Sequence, residues 1–147
     1  KNPSLIKEAS KSFGSSTIVL CIDVKKKLFG KSESVFIRNG SEDAKFKPIQ
    51  LAKIAEEMGA GEIIIQSISK DGSMEGYDID LIKSISTSVT IPTVALGGCC
   101  SMEDCKKAYI EGRANGIAAG SFFVYQGLNK GVLINYPSRE DIIKITH

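Results

Sequence analysis

Apolar and polar positions change period along this chain in a repeating order. Leu5, Ile6, Ala9 and Phe13 fall at helical spacing and predict a helix over residues 5–13, with Gly14 as its C-cap. Residues 17–24 form an almost continuous apolar run that closes on Asp23, the pattern of a strand buried on both faces. Residues 28–39 include Val35-Phe36-Ile37 and end in Asn39-Gly40, a turn signal, so a short hairpin is expected after the first strand. Pro48 suits the first turn of a helix with Ile49, Leu51, Ala52, Ile54, Ala55 and Met58 inward, stopped by Gly59. Strand and helix then alternate. Residues 62–68, 91–96 and 116–119 read as strands, and residues 78–86 and 102–111 as helices. Ser138 can cap a last helix, with Asp141 reaching back to it. Residues 126–137 give the weakest pattern.

Strands alternating with helices at this spacing predict a parallel α/β sheet with right-handed crossovers. The chain has 147 residues, and its strand–helix units number four. A closed barrel of eight such units needs about 250 residues. The expected architecture is therefore half of a (β/α)8 TIM barrel, a single domain over residues 1–147 with a hairpin inserted after the first strand. A doubly wound fold would place a G-x-G-x-x-G loop after its first strand, and this chain has none there.

Composition narrows the function classes. Apolar residues make up 42% and charged residues 24%, and the net charge of +2 gives no basis for nucleic-acid binding. Lys25-Lys26-Lys27 reads as a solvated loop start. No apolar run approaches the roughly 20 residues that span a bilayer, and the amino end shows no signal-peptide pattern. Cys21, Cys99, Cys100 and Cys105 form no C-x-x-C pair, and there is one histidine, His147, at the tail. No zinc set and no other cofactor is expected. The cysteine usage suits a reduced, cytoplasmic compartment. Cys21 is expected as a small core residue, and Cys99 and Cys100 as reduced bystanders.

Three strand ends carry candidate chemistry. Asp71-Gly72-Ser73-Met74-Glu75-Gly76-Tyr77-Asp78 follows the second strand of the parallel set, Gly97-Gly98 the third, and Gly120-Ser121 the fourth. Bare backbone N–H groups at matching strand ends can hold a phosphate without a cationic side chain. An Asp-Gly pair alone is also an ordinary turn, and only the repetition in register gives it weight. Asp71 can accept from a sugar hydroxyl. Asp23 is a carboxylate at the mouth of an apolar strand, where partial desolvation suits general acid–base work. The alternative for Asp23 is a pairing with Lys25 or a turn cap. Ser67 can line the same mouth or bond to backbone within the core.

These residues together resemble the cyclase subunit of imidazole glycerol phosphate synthase, a barrel family of histidine biosynthesis. The motifs that carry the resemblance are Asn2-Pro3-Ser4-Leu5-Ile6, Ile22-Asp23-Val24-Lys25, Gly59-Ala60-Gly61-Glu62-Ile63, the 71–78 loop with its Gly-Tyr-Asp ending, Gly97-Gly98, and Ala118-Ala119-Gly120-Ser121-Phe122-Phe123. The resemblance spans nearly the whole chain and the second half of the family's barrel. It implies a lyase-type cyclase that uses ammonia from a glutaminase partner on a phosphorylated ribulosyl aminoimidazole. It further implies that Asp23 is one of two acid–base aspartates, the other lying in the amino-terminal half. Gly72, Gly97, Gly98, Gly120 and Ser121, with Asp71 adjoining, then bind substrate phosphate. Glu62 matches a glutamate of the charged gate where ammonia enters.

Leu96, Gln66 and Cys99-Cys100 depart from the family's usual Ser, Thr and small pair, which points to a specialised paralogue. The tail from Leu133 to Glu140 resembles barrels associated with surface-sugar amidotransfer. A sister phosphosugar isomerase of the same pathway and a non-catalytic barrel partner are the alternatives. A half barrel leaves open strand edges, so pairing with the missing half or with a second copy is expected, and little cyclase activity from the fragment alone.

Overall fold

The computed structural model describes residues 2–26, 32–126 and 131–146. Helix α1 (Ser4–Phe13) leads through a short 3-10 turn, Ser15–Thr17, into β1 (Val19–Lys26). Strands β2 (Glu33–Ile37) and β3 (Glu42–Asp43) form the hairpin. The alternation continues through α2 (Pro48–Glu57), β4 (Glu62–Ser67), α3 (Ile79–Ser86), β5 (Thr93–Leu96), α4 (Met102–Ile110) and β6 (Gly116–Ile117). A short helix, α5 (Ser121–Val124), precedes the small ribbon β7 (Tyr125–Gln126) and β8 (Gly131–Val132), and α6 (Arg139–Thr146) closes the described chain.

The main sheet runs β3-β2-β1-β4-β5-β6. Strands β1, β4, β5 and β6 are parallel, while β2 and β3 add an antiparallel hairpin on the β1 side. This is the fold of a partial (β/α)8 barrel. The register aligns Cys21, Ile64 and Val94 in one row across the sheet, and Asp23, Gln66 and Leu96 in the next.

Strand side chains alternate between two faces. Ile22, Val24, Ile63, Ile65 and Ala95 point to the side covered by helices, where they meet Ala52, Leu81, Ile82, Ile85 and Ala108. All ten are almost fully buried, and they form the core. The other set, Cys21, Asp23, Ile64, Gln66, Val94 and Leu96, lies on a face that no described helix covers, and its members are half-buried or exposed. The apolar runs thus suit two covered faces, of which this chain covers one.

Several boundaries differ from expectation for local reasons. Strand β1 extends to Lys26 because β2 pairs with it from Asp23 to Lys26, so Lys25 and Lys26 are strand residues and not a loop start. Lys27 and residues 28–31 lie outside the described residues. Lys26 is held by ion pairs with Asp78 at 3.1 Å and Glu33 at 3.9 Å. Cys21 is not a core residue, because Ile22 and Val24 take the helix face and the period of two turns Cys21 to the open one. Strand β6 is two residues long; just past it, Ala118 N–H still donates to the Ala95 carbonyl of β5, while the Ala118 carbonyl accepts from Tyr77. Within the weakly patterned stretch, residues 131–137 pack back through Tyr136, whose ring stacks on that of Phe123 with centroids 5.1 Å apart. Ser138 and Asp141 form the expected cap of α6. No helix among the described residues is long and apolar enough to cross a membrane.

Candidate functional site

The 71–78 loop ties the ends of four strands together. Gly76 N–H donates to the Gly98 carbonyl at 2.8 Å, joining the loop to the turn after β5. The Tyr77 hydroxyl donates to the Ala118 carbonyl at 2.8 Å, joining it to the end of β6. Asp78 caps α3 by accepting from Leu81 N–H, and its carboxylate holds Lys26 of β1. The Gly-Tyr-Asp ending therefore has one structural task per residue.

The turn after β5 needs glycine twice. Gly97 and Gly98 have φ of +95° and +103°, a region that side chains disfavour. A Cβ on Gly98 would collide with the Gly76 carbonyl oxygen, and one on Gly97 would lie 2.9 Å from the Ser67 carbonyl oxygen. Backbones can approach this closely only with no side chain between them. The result is a small cup lined by Asp71, Gly72, Leu96, Gly97, Gly98, Cys99, Gly120 and Ser121. Among the described residues, the N–H groups of Gly72, Gly98 and Gly120 find no main-chain acceptor. Among the described residues, no Lys or Arg lines the cup. It can therefore hold an anion through neutral donors, as backbone nests do.

Asp23 stands on the open face in the same row as Gln66 and Leu96. Leu96 leads directly into the glycine turn and lines the cup. Gln66 Nε2 donates to Asp71 Oδ2 at 3.1 Å. Between the carboxylate and the amide sits Cys21, with Sγ 3.6 Å from Asp23 Oδ1 and 3.8 Å from Gln66 Oε1. Burial of its sulfur, then the nearby Asp23 carboxylate, push the Cys21 thiol up to about 11. Asp23 and the cup thus open on one face at the carboxyl end of the parallel strands, bridged by Gln66.

Glu62 occupies the other end. It begins β4 opposite Val19, and strand alternation places it on the same face as Ile64 and Gln66. One line of side chains therefore runs from Glu62 along the open face to Gln66 and Asp71. Ser67 is turned away from the mouth: it is buried on the helix side, its Oγ 3.4 Å from that of Ser69. His147 lies outside the described residues. No group of three or more His, Cys, Asp or Glu side chains that could hold a metal occurs among the described residues.

Cys21 and one buried cluster of this neighbourhood escaped sequence reasoning. Cys21 lies two residues before Asp23 on the same strand, so alternation alone signals that they share a face. Tyr77, Cys99 and Cys105 form a buried cluster against the cup, and no short-range spacing foretells it because the residues come from three separate segments.

Comparison with known proteins fits this geometry. A model of the family described as "Histidine biosynthesis protein" matches residues 1–129. A protein of Leptospira interrogans, provisionally named as the HisF subunit of imidazole glycerol phosphate synthase, is 43% identical over 141 residues, 96% of this chain and 56% of its own length. The imidazole glycerol phosphate synthase subunit HisF of Alkaliphilus metalliredigens is 40% identical over 125 residues, covering 85% of this chain and 49% of its own length. That of Clostridium botulinum is 36% identical over 140 residues, covering 95% and 55%. The chain spans about half the length of the curated relatives it matches. With its half-barrel topology and its glycine-lined strand ends, the chain belongs to the histidine biosynthesis protein family of (β/α)8 barrels.

Proposed function

We propose that this chain is the carboxyl-terminal half of an ammonia-using cyclase barrel of the imidazole glycerol phosphate synthase type. The observation that carries the reading is the common mouth: Asp23 and the glycine cup share one face and one end of the sheet, linked through Gln66. In this reading the N–H groups of Gly72, Gly98, Gly120 and Ser121 hold one phosphate of a ribulosyl aminoimidazole substrate. Asp71 orients a sugar hydroxyl. Asp23 moves a proton on the substrate's reacting face and works with an aspartate supplied by the other half of the barrel. Anchoring a remote phosphate fixes the reacting atoms near Asp23, which lowers the entropic part of the barrier.

Ammonia comes from a glutaminase subunit that docks at the amino end of the strands. It passes Glu62 and travels along the line of Ile64 and Gln66 to the mouth. Reaction at the far end of a closed barrel keeps the ammonia from water.

The test uses the complete barrel that contains this chain, supplied with ammonium and either the ribulosyl aminoimidazole or its un-isomerised precursor. Cyclisation of the first, abolished in Asp23→Asn, supports the proposal. Turnover of the second substrate alone identifies a phosphosugar isomerase instead, and retention of full activity by Asp23→Asn removes Asp23 from the chemistry.

A further inference from the structure

Three titratable groups are packed beneath the cup, and the acid–base proposal uses none of them. Cys99 follows the glycine pair, lines the cup and is 4% exposed. Cys105, on the first turn of α4, is 5% exposed, and its Sγ lies 3.5 Å from that of Cys99. Tyr77 belongs to the same buried cluster and is 6% exposed. All four cysteines are free thiols.

The pair is chemically unequal. Hydrogen bonding from the Cys105 thiol lowers the Cys99 pKa, against burial. The same hydrogen bond, reinforced by burial, raises that of Cys105. Cys99 is thus the readier thiolate, the form that reacts with oxidants, and Cys105 keeps its proton beside it.

We propose that Cys99 and Cys105 are a reversible thiol–disulfide modification site, oxidised by peroxide, that reshapes the anion cup. A disulfide is about 2.05 Å long, so the sulfurs must close by ~1.5 Å. The segment that moves is the Gly97-Gly98-Cys99 turn, whose glycines have the backbone freedom to follow. The cup gives a small oxidant its approach to Cys99.

The chemistry balances with one peroxide. The Cys99 thiolate attacks a peroxide oxygen, the O–O bond breaks, and the departing hydroxide takes a proton to become water. Cys99 is then a sulfenic acid. The Cys105 sulfur attacks the Cys99 sulfur, the S–S bond forms, the S–O bond breaks, and a second water leaves with the Cys105 proton. Two electrons from the two thiols have reduced the peroxide. The disulfide pulls the Gly98 turn toward α4 and shifts its N–H donors. The oxidised chain therefore binds phosphate several-fold more weakly, a consequence that rests on the phosphate reading above.

The experiment keeps Cys99 and Cys105 as the remaining thiols in a Cys21→Ser, Cys100→Ser chain, treated with hydrogen peroxide and then titrated for thiol. Both thiols should disappear and return with dithiothreitol. Cleavage ahead of Asp104 should release a disulfide-linked pair of peptides, and the unsubstituted chain should yield the same link. With Cys105→Ser as well, Cys99 should stop at the sulfenic acid and be trapped by dimedone. Thiols that survive peroxide, or a Cys99 link between two chains, overturn the proposal. Inorganic phosphate is the binding probe for reduced and oxidised forms. Failure of the reduced form to bind overturns the phosphate reading and leaves the redox pair standing, whereas equal binding by both forms overturns the coupling between them.

Discussion

Asp23 and Cys21 sit two residues apart on one strand face, with Cys21 Sγ 3.6 Å from Asp23 Oδ1. If Asp23 carries the proton transfer proposed for it, Asp23→Asn keeps the shape of the side chain and removes that transfer, so kcat of the complete barrel should fall by about 10²–10⁴-fold. KM should change little, because the phosphate cup is untouched. Steady-state kinetics with ammonium as nitrogen donor measures both. Cys21 offers an independent readout. Its thiol is pushed up to about 11 by burial and by Asp23, so its thiolate is scarce near neutrality. Iodoacetamide should label Cys21 slowly at neutral pH, with a rate that climbs to a midpoint near 11. In Asp23→Asn that midpoint should drop, and an unmoved midpoint would show that the carboxylate does not act on the sulfur. Asp23 was legible in the sequence because it is a lone charge closing an apolar run. The bond from Gln66 to Asp71 was not, because it depends on how the loop returns over the strand end.

At the level of elements, the loop that follows β4 organises the mouth. Tyr77→Phe deletes the hydroxyl that satisfies the Ala118 carbonyl and leaves that carbonyl without its donor, a loss of about 1–3 kcal/mol. Urea unfolding should register it as a lower midpoint at unchanged slope. Gly98→Ala is harsher, since its Cβ meets backbone rather than a movable side chain. It should abolish phosphate binding, seen by calorimetry, even where the chain still folds. A second device fixes the entry to β5. Glu56 Oε1 of α2 accepts from Thr90 N–H and Oγ1, both at 2.6 Å, and from Ile91 N–H at 3.1 Å. The Thr90 hydroxyl and amide hold the Glu56 pKa below its ordinary 4.5. A lowered folded value stabilises the fold above the ordinary pKa, and that contribution is lost as pH falls through the folded value. Glu56→Gln should therefore be less stable than the parent at neutral pH, with the gap narrowing in the acid range below 4.5. Helices α2 and α6 were legible because Pro48 and Ser138 mark their starts. The end of β1 was not, because hairpin pairing sets it from a distance.

The whole molecule carries a sheet finished on one face. Ile64, Val94 and Leu96 form an apolar strip on the side that no described helix covers, and none of them is fully buried. Burying such a side chain completely contributes about 1.5–3 kcal/mol, and part of that remains unrealised in this chain. Ladder edges bordering this strip are also open among the described residues: β6 ends the sheet on one side, and β1 lacks a partner on its outer side from Val19 to Ile22. Unpaired edges bordering an apolar face favour association. We expect the chain by itself to sediment as a dimer or larger species at micromolar concentration, and to prefer the other half of the barrel when that half is present. Ile64→Asp places a charge on the strip without touching the helix-side core. It should shift the chain toward monomer and block complementation of cyclase activity by the amino-terminal half, while far-ultraviolet circular dichroism stays unchanged. If Ile64→Asp assembles and complements as the parent does, the open face is not the joining surface. The line from Glu62 to Asp71 would then run along solvent rather than inside a closed barrel, and the ammonia route would lose its walls.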